Sequence, residues 1–140
     1  MKKLFAIGLL ATTLLFGASA DSSDSTNSLP QAALDFLEAS FPGLTVASVE
    51  SDRNEFEVML SNNTEVDFDR KGNWEAVKSL ISVPANLLPS RATNYLISLY
   101  PETNILEIEN NANSYEVKLA NNWEIVFAKD GSFVSKDWDK

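Results

Sequence analysis

Two stretches of the chain carry nearly the same alternation of apolar and polar residues. Residues 57–68 read EVMLSNNTEVDF and residues 116–127 read EVKLANNWEIVF. A period of two puts apolar side chains on one face of a strand and polar ones on the other. Phe56, Val58 and Leu60 alternate with Glu55, Glu57 and Met59, and Val66 and Phe68 with Glu65, Asp67 and Asp69. In the second stretch Tyr115, Val117 and Leu119 alternate with Ser114, Glu116 and Lys118, and Trp123, Ile125 and Phe127 with Glu124, Val126 and Ala128. Asn62-Asn63 and Asn121-Asn122 fall between the strands, and asparagine tolerates positive φ, so each stretch predicts a hairpin. Turns at Gly72 and Gly131 lead to last strands near Trp74 and Phe133. Less regular strands are expected before each hairpin, at about Leu44 to Glu50 and Asn104 to Glu109.

Upstream of each strand set the period changes to that of a helix. Ala33, Phe36, Leu37 and Phe41 form one apolar stripe, and Ala92, Tyr95, Leu96, Leu99 and Tyr100 another. Pro42 and Pro101 stop the helices, Pro30 suits a first turn, and Pro84 and Pro89 bracket a short turn at Ala85 to Leu88.

The two halves align without a gap at an offset of 59 residues. Leu29-Pro30 answers Leu88-Pro89, Phe41-Pro42 answers Tyr100-Pro101, and Gly72 answers Gly131. Aromatic residues answer aromatic ones at Phe36/Tyr95, Phe56/Tyr115, Phe68/Phe127 and Trp74/Phe133. Two copies are too few for a solenoid. The reading is an α+β fold of two tandem helix-plus-four-strand repeats, an antiparallel sheet with the helices packed on one face. Repeat 1 is placed at 29–82 and repeat 2 at 83–140, together one pseudo-symmetric domain.

The recurring Leu-Pro, aromatic-Pro helix end, Glu-Val-x-Leu-x-Asn strand and turn, and Gly-x-aromatic strand resemble the PepSY-like family of secreted bacterial proteins. That family is similar in fold to the beta-lactamase inhibitory proteins, with helix-plus-four-strand units in tandem. The resemblance runs from Leu29 to about Trp138 and implies a role in binding or in restraining peptidases rather than a defined reaction. The chain departs from the inhibitory proteins in having no cysteine and in turning its hairpins on Asn-Asn instead of acidic loops, so inhibition of a beta-lactamase is not expected.

Residues 1–20 read as a secretory signal: basic Lys2-Lys3, an apolar run from Leu4 to Phe16, and the small-x-small site Ala18-Ser19-Ala20. The apolar run is shorter than the roughly 20 residues of a membrane span. The polar stretch at 21–28 reads as a disordered lead-in. A periplasmic or secreted protein with no membrane anchor after cleavage is therefore expected. The full chain has formal charge −9, and loss of the signal removes two lysines and no acid, leaving −11 on 120 residues. Such a charge disfavours nucleic acid and favours basic partners or cations.

Without histidine or cysteine the chain lacks the usual neutral-pH base, the thiol nucleophile and the commonest zinc ligands. Carboxylate pairs remain, Glu57 with Glu65 or Glu116 with Glu124, but on an open face they should stay hydrated with little change in pKa. Asp67 to Gly72 faintly resembles a calcium loop yet reads better as a plain turn, because Arg70 and Lys71 stand at ligand places. No catalytic residue, cofactor or metal site is assigned.

The remaining candidate is the polar sheet face: Glu55, Glu57, Met59, Glu65, Asp67, Asp69, Glu116, Lys118, Glu124 and Val126. Eight strands in one sheet would present about 38 Å by 20 Å. That is about 760 Å², close to the roughly 800 Å² per partner of a standard interface. The expected function is non-enzymatic binding of a protein or peptide, a peptidase among the candidates, by a monomer. The alternatives are a carboxylate-based cation or small-ligand binder, a weak carboxylate hydrolase, and self-association through edge strands. Trp123, by its parity, belongs to the core.

Overall fold

The computed structural model describes residues 28–139, so the expected signal segment at 1–20 and all of the lead-in but Ser28 lie outside the described residues. The element order is α1 (Gln31–Ser40), β1 (Val46–Ser51), β2 (Glu55–Leu60), β3 (Glu65–Asp69), β4 (Trp74–Lys78), a 3-10 turn (Ala85–Leu87), α2 (Ser90–Leu99), β5 (Ile105–Asn110), β6 (Ser114–Leu119), β7 (Trp123–Ala128) and β8 (Phe133–Trp138). All eight strands form one antiparallel sheet in the order of the chain. The halves meet where β4 pairs with β5, Val77 opposite Ile108. The expected α+β architecture of two helix-plus-four-strand units is the one observed.

The repeat extends to irregularities that no residue pattern announces. Register shifts fall at Val46/Ser48 and again at Ile105/Glu107, at Asp67/Phe68 and again at Val126/Phe127. Asn63 and Asn122 carry the positive φ of the hairpin turns, at 69° and 75°. Their neighbours Asn62 and Asn121 accept backbone N–H bonds from Thr64 and Trp123.

The core lies between the helices and one sheet face. The two Leu-Pro leucines, Leu29 and Leu88, are buried beside Ala33 and Leu37 of α1, Ala92 and Leu96 of α2, and the inward row Val58, Val66, Val77, Ile108, Val117 and Ile125. Aromatic packing is duplicated as well. Phe36 meets Phe68 edge-on at 5.8 Å and stacks on Trp74 at 5.5 Å, while Tyr95 meets Phe127 edge-on at 5.5 Å and stacks on Phe133 at 5.0 Å. Trp123 packs against the core, as its parity requires, with Lys136 4.7 Å above its ring. Leu99 departs from its expected place in the stripe: it ends α2 and is half exposed.

Each helix N-terminus rests on a glycine turn. A Cβ on Gly72 would come within 3.0 Å of the Ala33 backbone nitrogen, and one on Gly131 within 2.8 Å of Arg91 Cβ. Both glycines have φ above +90°, a conformation that costs other residues about 1–2 kcal/mol. Alanine at either position should therefore destabilise the protein by about 2–3 kcal/mol in urea denaturation. Gly43→Ala, strained by its φ of 87° but with open space around it, should cost only about 1 kcal/mol. Equal losses at all three sites would remove the steric part of the argument.

Candidate functional site

The face opposite the helices is ordered by strand pairing into rows. One row runs Glu50, Glu57, Asp67, Ala76, Glu109, Glu116, Val126 and Ser135 across β1 to β8. Its neighbour runs Ser48, Met59, Glu65, Lys78, Glu107, Lys118, Glu124 and Asp137. In the second row the lysines sit between acids: Lys78 Nζ is 3.9 Å from Glu65 Oε2, and Lys118 also reaches Asp139 at 3.3 Å. Opposite charges directly across a ladder stabilise it by about 0.2–1 kcal/mol, and like charges there destabilise it. The first row thus sets like against like at Glu50/Glu57, Glu57/Asp67 and Glu109/Glu116.

The face is less open than alternation suggests. Glu55, Glu57, Met59, Glu65, Glu116, Lys118, Glu124 and Val126 are half-buried, and Asp67 is only 5% exposed. Asp67 is a short side chain on an inner strand, with Glu57, Glu65 and Lys78 projecting farther around it. Glu57, Glu65 and Asp67 bring carboxylate oxygens within 4.8 Å of one another, and Asp67 Oδ1 has no hydrogen-bond partner. The expectation of unperturbed carboxylates fails here. Burial pushes the Asp67 carboxyl up to about 9, helped by hydrogen bonding and charge from Glu65 and by the charge of Glu57, against Lys78. Burial likewise raises Glu57 to about 7, with the charges of Glu65, Glu50 and Glu55 adding to it.

The two expected carboxylate pairs part company. Glu57 and Glu65 are brought together diagonally and joined by Asp67. Glu116 faces Val126 while Glu124 faces Lys118, so that pair is interrupted by a lysine. Asp69 does not serve the face. Its Oδ1 accepts the N–H groups of Lys71 and Asn73, both at 2.9 Å, so it holds the β3–β4 turn. Although burial opposes it, these bonds keep its carboxyl below the usual range. The turn reading of Asp67 to Gly72 agrees with this geometry.

At the seam of the halves the face opens into a groove of about 320 Å³ lined by Glu55, Asp67, Glu75, Lys78, Glu107, Glu109, Asn110 and Asn111 among others. A second recess of about 290 Å³ lies by Glu50, Asp52, Glu55 and Glu57. The residues missing from the sequence reading, Glu50, Glu75, Lys78, Glu107 and Glu109, lie on β1, β4 and β5. Glu107 and Glu109 flank Ile108 in strict alternation, a signal present in the sequence. Their nearness to Asp67 and Ala76 depends on the pairing of β4 with β5.

The model of the PepSY-like family, provisionally described as beta-lactamase-inhibitor-like, matches residues 21–65 and 54–135. Among solved structures the chain is similar to a periplasmic protein of Bacteroides thetaiotaomicron provisionally described as calcium-regulated, with 35% identity, a TM-score of 0.72, and coverage of 79% of this chain and 91% of the other. It is similar to a periplasmic DUF2874-family protein of Bacteroides vulgatus, with 34% identity, a TM-score of 0.69 and the same coverages. A further Bacteroides vulgatus periplasmic protein of unknown function matches with 29% identity, a TM-score of 0.72, and coverage of 80% and 94%. None of the curated proteins matches the chain. A periplasmic location agrees with these relatives, and among the described residues no helix is long and apolar enough to cross a membrane.

Proposed function

The chain belongs to the PepSY-like family, and from that premise we propose that it is a non-enzymatic periplasmic binding protein whose acidic sheet face takes a cationic segment of a protein or peptide. The row of carboxylates set directly against one another carries this reading. A fold that places Glu50 beside Glu57 and Glu57 beside Asp67 crowds carboxyl groups whose charging a bound cationic group would favour. The groove at the seam lets such a group approach without a deep pocket. A chain without histidine or cysteine has no ready base or thiol with which to turn binding into reaction. A peptidase presenting a basic segment falls within this partner class.

A labelled octalysine peptide, titrated by fluorescence anisotropy at about 50 mM salt, tests the reading. Saturable binding that weakens with added salt is expected. The triple variant Glu50→Gln, Glu109→Gln, Glu116→Gln should bind at least about fivefold more weakly, since each removed charge contributes a few tenths to 1 kcal/mol at a partly exposed site. The variant Glu102→Gln, in the exposed turn after α2, should match the native protein. Undiminished binding by the triple variant would sink the proposal.

The similarity to a relative provisionally described as calcium-regulated supports a second ligand class for the same face, a small cation.

A further inference from the structure

The three carboxylates Glu57, Glu65 and Asp67 occupy only one corner of the acidic face, yet they differ from its other acids in arrangement. They come from two adjacent strands, β2 and β3, and one oxygen from each lies within 4.8 Å of the other two. Two oxygens on opposite sides of a calcium ion stand about 4.6–5.2 Å apart, twice the Ca–O distance of 2.3–2.6 Å. The cluster therefore fits within a single calcium shell. Magnesium, at about 2.0–2.1 Å with near-ideal octahedral geometry, would need the same oxygens drawn closer. Carboxylate-only donors suit hard cations and not zinc or copper.

Asp67 supplies an independent observation. It is 95% buried, it belongs to the cluster, and its Oδ1 has no partner within the protein. A buried carboxylate oxygen without a partner is costly, on the order of several kcal/mol when charged, and is rarely kept without use. Lys78, 3.9 Å from Glu65, offsets one of the three charges. The ionised group then keeps two net negative charges, the complement of a divalent ion.

We infer that Glu57, Glu65 and Asp67 form a calcium site on the sheet face, in which the ion occupies the position between β2 and β3 and is bound by Asp67 through its otherwise unpartnered Oδ1. This assignment rests on the cation reading above and names its residues. The groups facing the cluster are Glu50 from β1, Glu55 from β2 and Lys78 from β4.

Isothermal titration of the purified protein with calcium chloride at pH 8, repeated with magnesium chloride, tests the site. One calcium per chain is expected, with a Kd on the order of 10⁻⁴–10⁻³ M as in extracellular modules, and weaker magnesium binding. Asp67→Asn and Glu57→Gln should each weaken calcium at least about tenfold while circular dichroism stays native, and Glu102→Gln should leave it unchanged. Two variants are used so that a folding defect in one does not decide the outcome. No saturable calcium binding by the native protein would overturn the site and the cation reading together. Saturable binding that survives both substitutions would overturn the site alone.

Discussion

Asp67→Asn is expected to stabilise the metal-free protein at pH 8 and to change it little near pH 4. In the folded chain burial first, then the hydrogen bond and charge of Glu65 and the charge of Glu57, push the Asp67 carboxyl up to about 9, against an ordinary value of 3.8. Between these values the folded protein holds a proton that the unfolded chain has lost. A carboxyl raised in this way makes stability fall as pH rises from about 4 toward 9. Glu57 adds to the fall between about 4.5 and 7. Asparagine resembles the protonated acid: it is neutral, similar in shape, and has an N–H to offer Glu65. The gain at pH 8 should be on the order of 3 kcal/mol after allowance for local relaxation. For a domain of this size that is a rise in Tm of about 10 °C. Asp69, whose turn bonds keep its carboxyl low, acts in the opposite sense, but only as pH falls below about 4. Melting curves in chelator at pH 4.5, 6 and 8 separate the contributions. A native protein that gains stability from pH 5 to 8, or an Asp67→Asn protein with the same pH slope, would contradict the buried-acid account.

Phe68→Ala and Phe127→Ala should each remove about 3–5 kcal/mol of stability. Both rings are fully buried, and each is the floor of an equivalent aromatic cluster: Phe36 and Trp74 belong to one, Tyr95 and Phe133 to the other. Removing either ring leaves a cavity that the surrounding strands cannot close, since β3 and β7 are each paired on both sides. Domains of this size have about 5–15 kcal/mol in total, so either variant should melt tens of degrees lower or fold only partly. The two losses should agree within about 1 kcal/mol, because the halves share one core. Urea denaturation followed by tryptophan fluorescence measures both. A loss below about 1 kcal/mol at either site would mean that the halves do not depend on their aromatic clusters.

Much of the fold was legible because each local signal was repeated. Either hairpin alone is a weak pattern, but Val58, Leu60, Val66 and Phe68 recur 59 residues later as Val117, Leu119, Ile125 and Phe127. Gly72 and Gly131 recur for a reason the sequence does not disclose, the helix ends lying against them. The face was legible in its chemistry and not in its depth. Alternation assigns Asp67 and Asp69 alike to the outward side. Asp69 lies at the end of β3, where its carboxylate reaches the backbone N–H groups of the next turn. Asp67, two residues earlier, is covered between two neighbouring strands. The same parity thus gives a turn-holding residue at one position and a buried acid at the other.

By itself the sequence determined the units, the side of the sheet on which each strand residue lies, and an acidic character without histidine or cysteine. These follow from period, turn chemistry and composition, which act between residues near one another in the chain. Tertiary structure alone decided that the halves join through β4 and β5 into one sheet, that Glu107 and Glu109 come beside Lys78 and Ala76, and that Glu57, Glu65 and Asp67 converge around a buried oxygen. The physical reason is that burial and charge coupling are set by neighbours across strands. Which strands become neighbours depends on the whole chain packing its inward face beneath two helices.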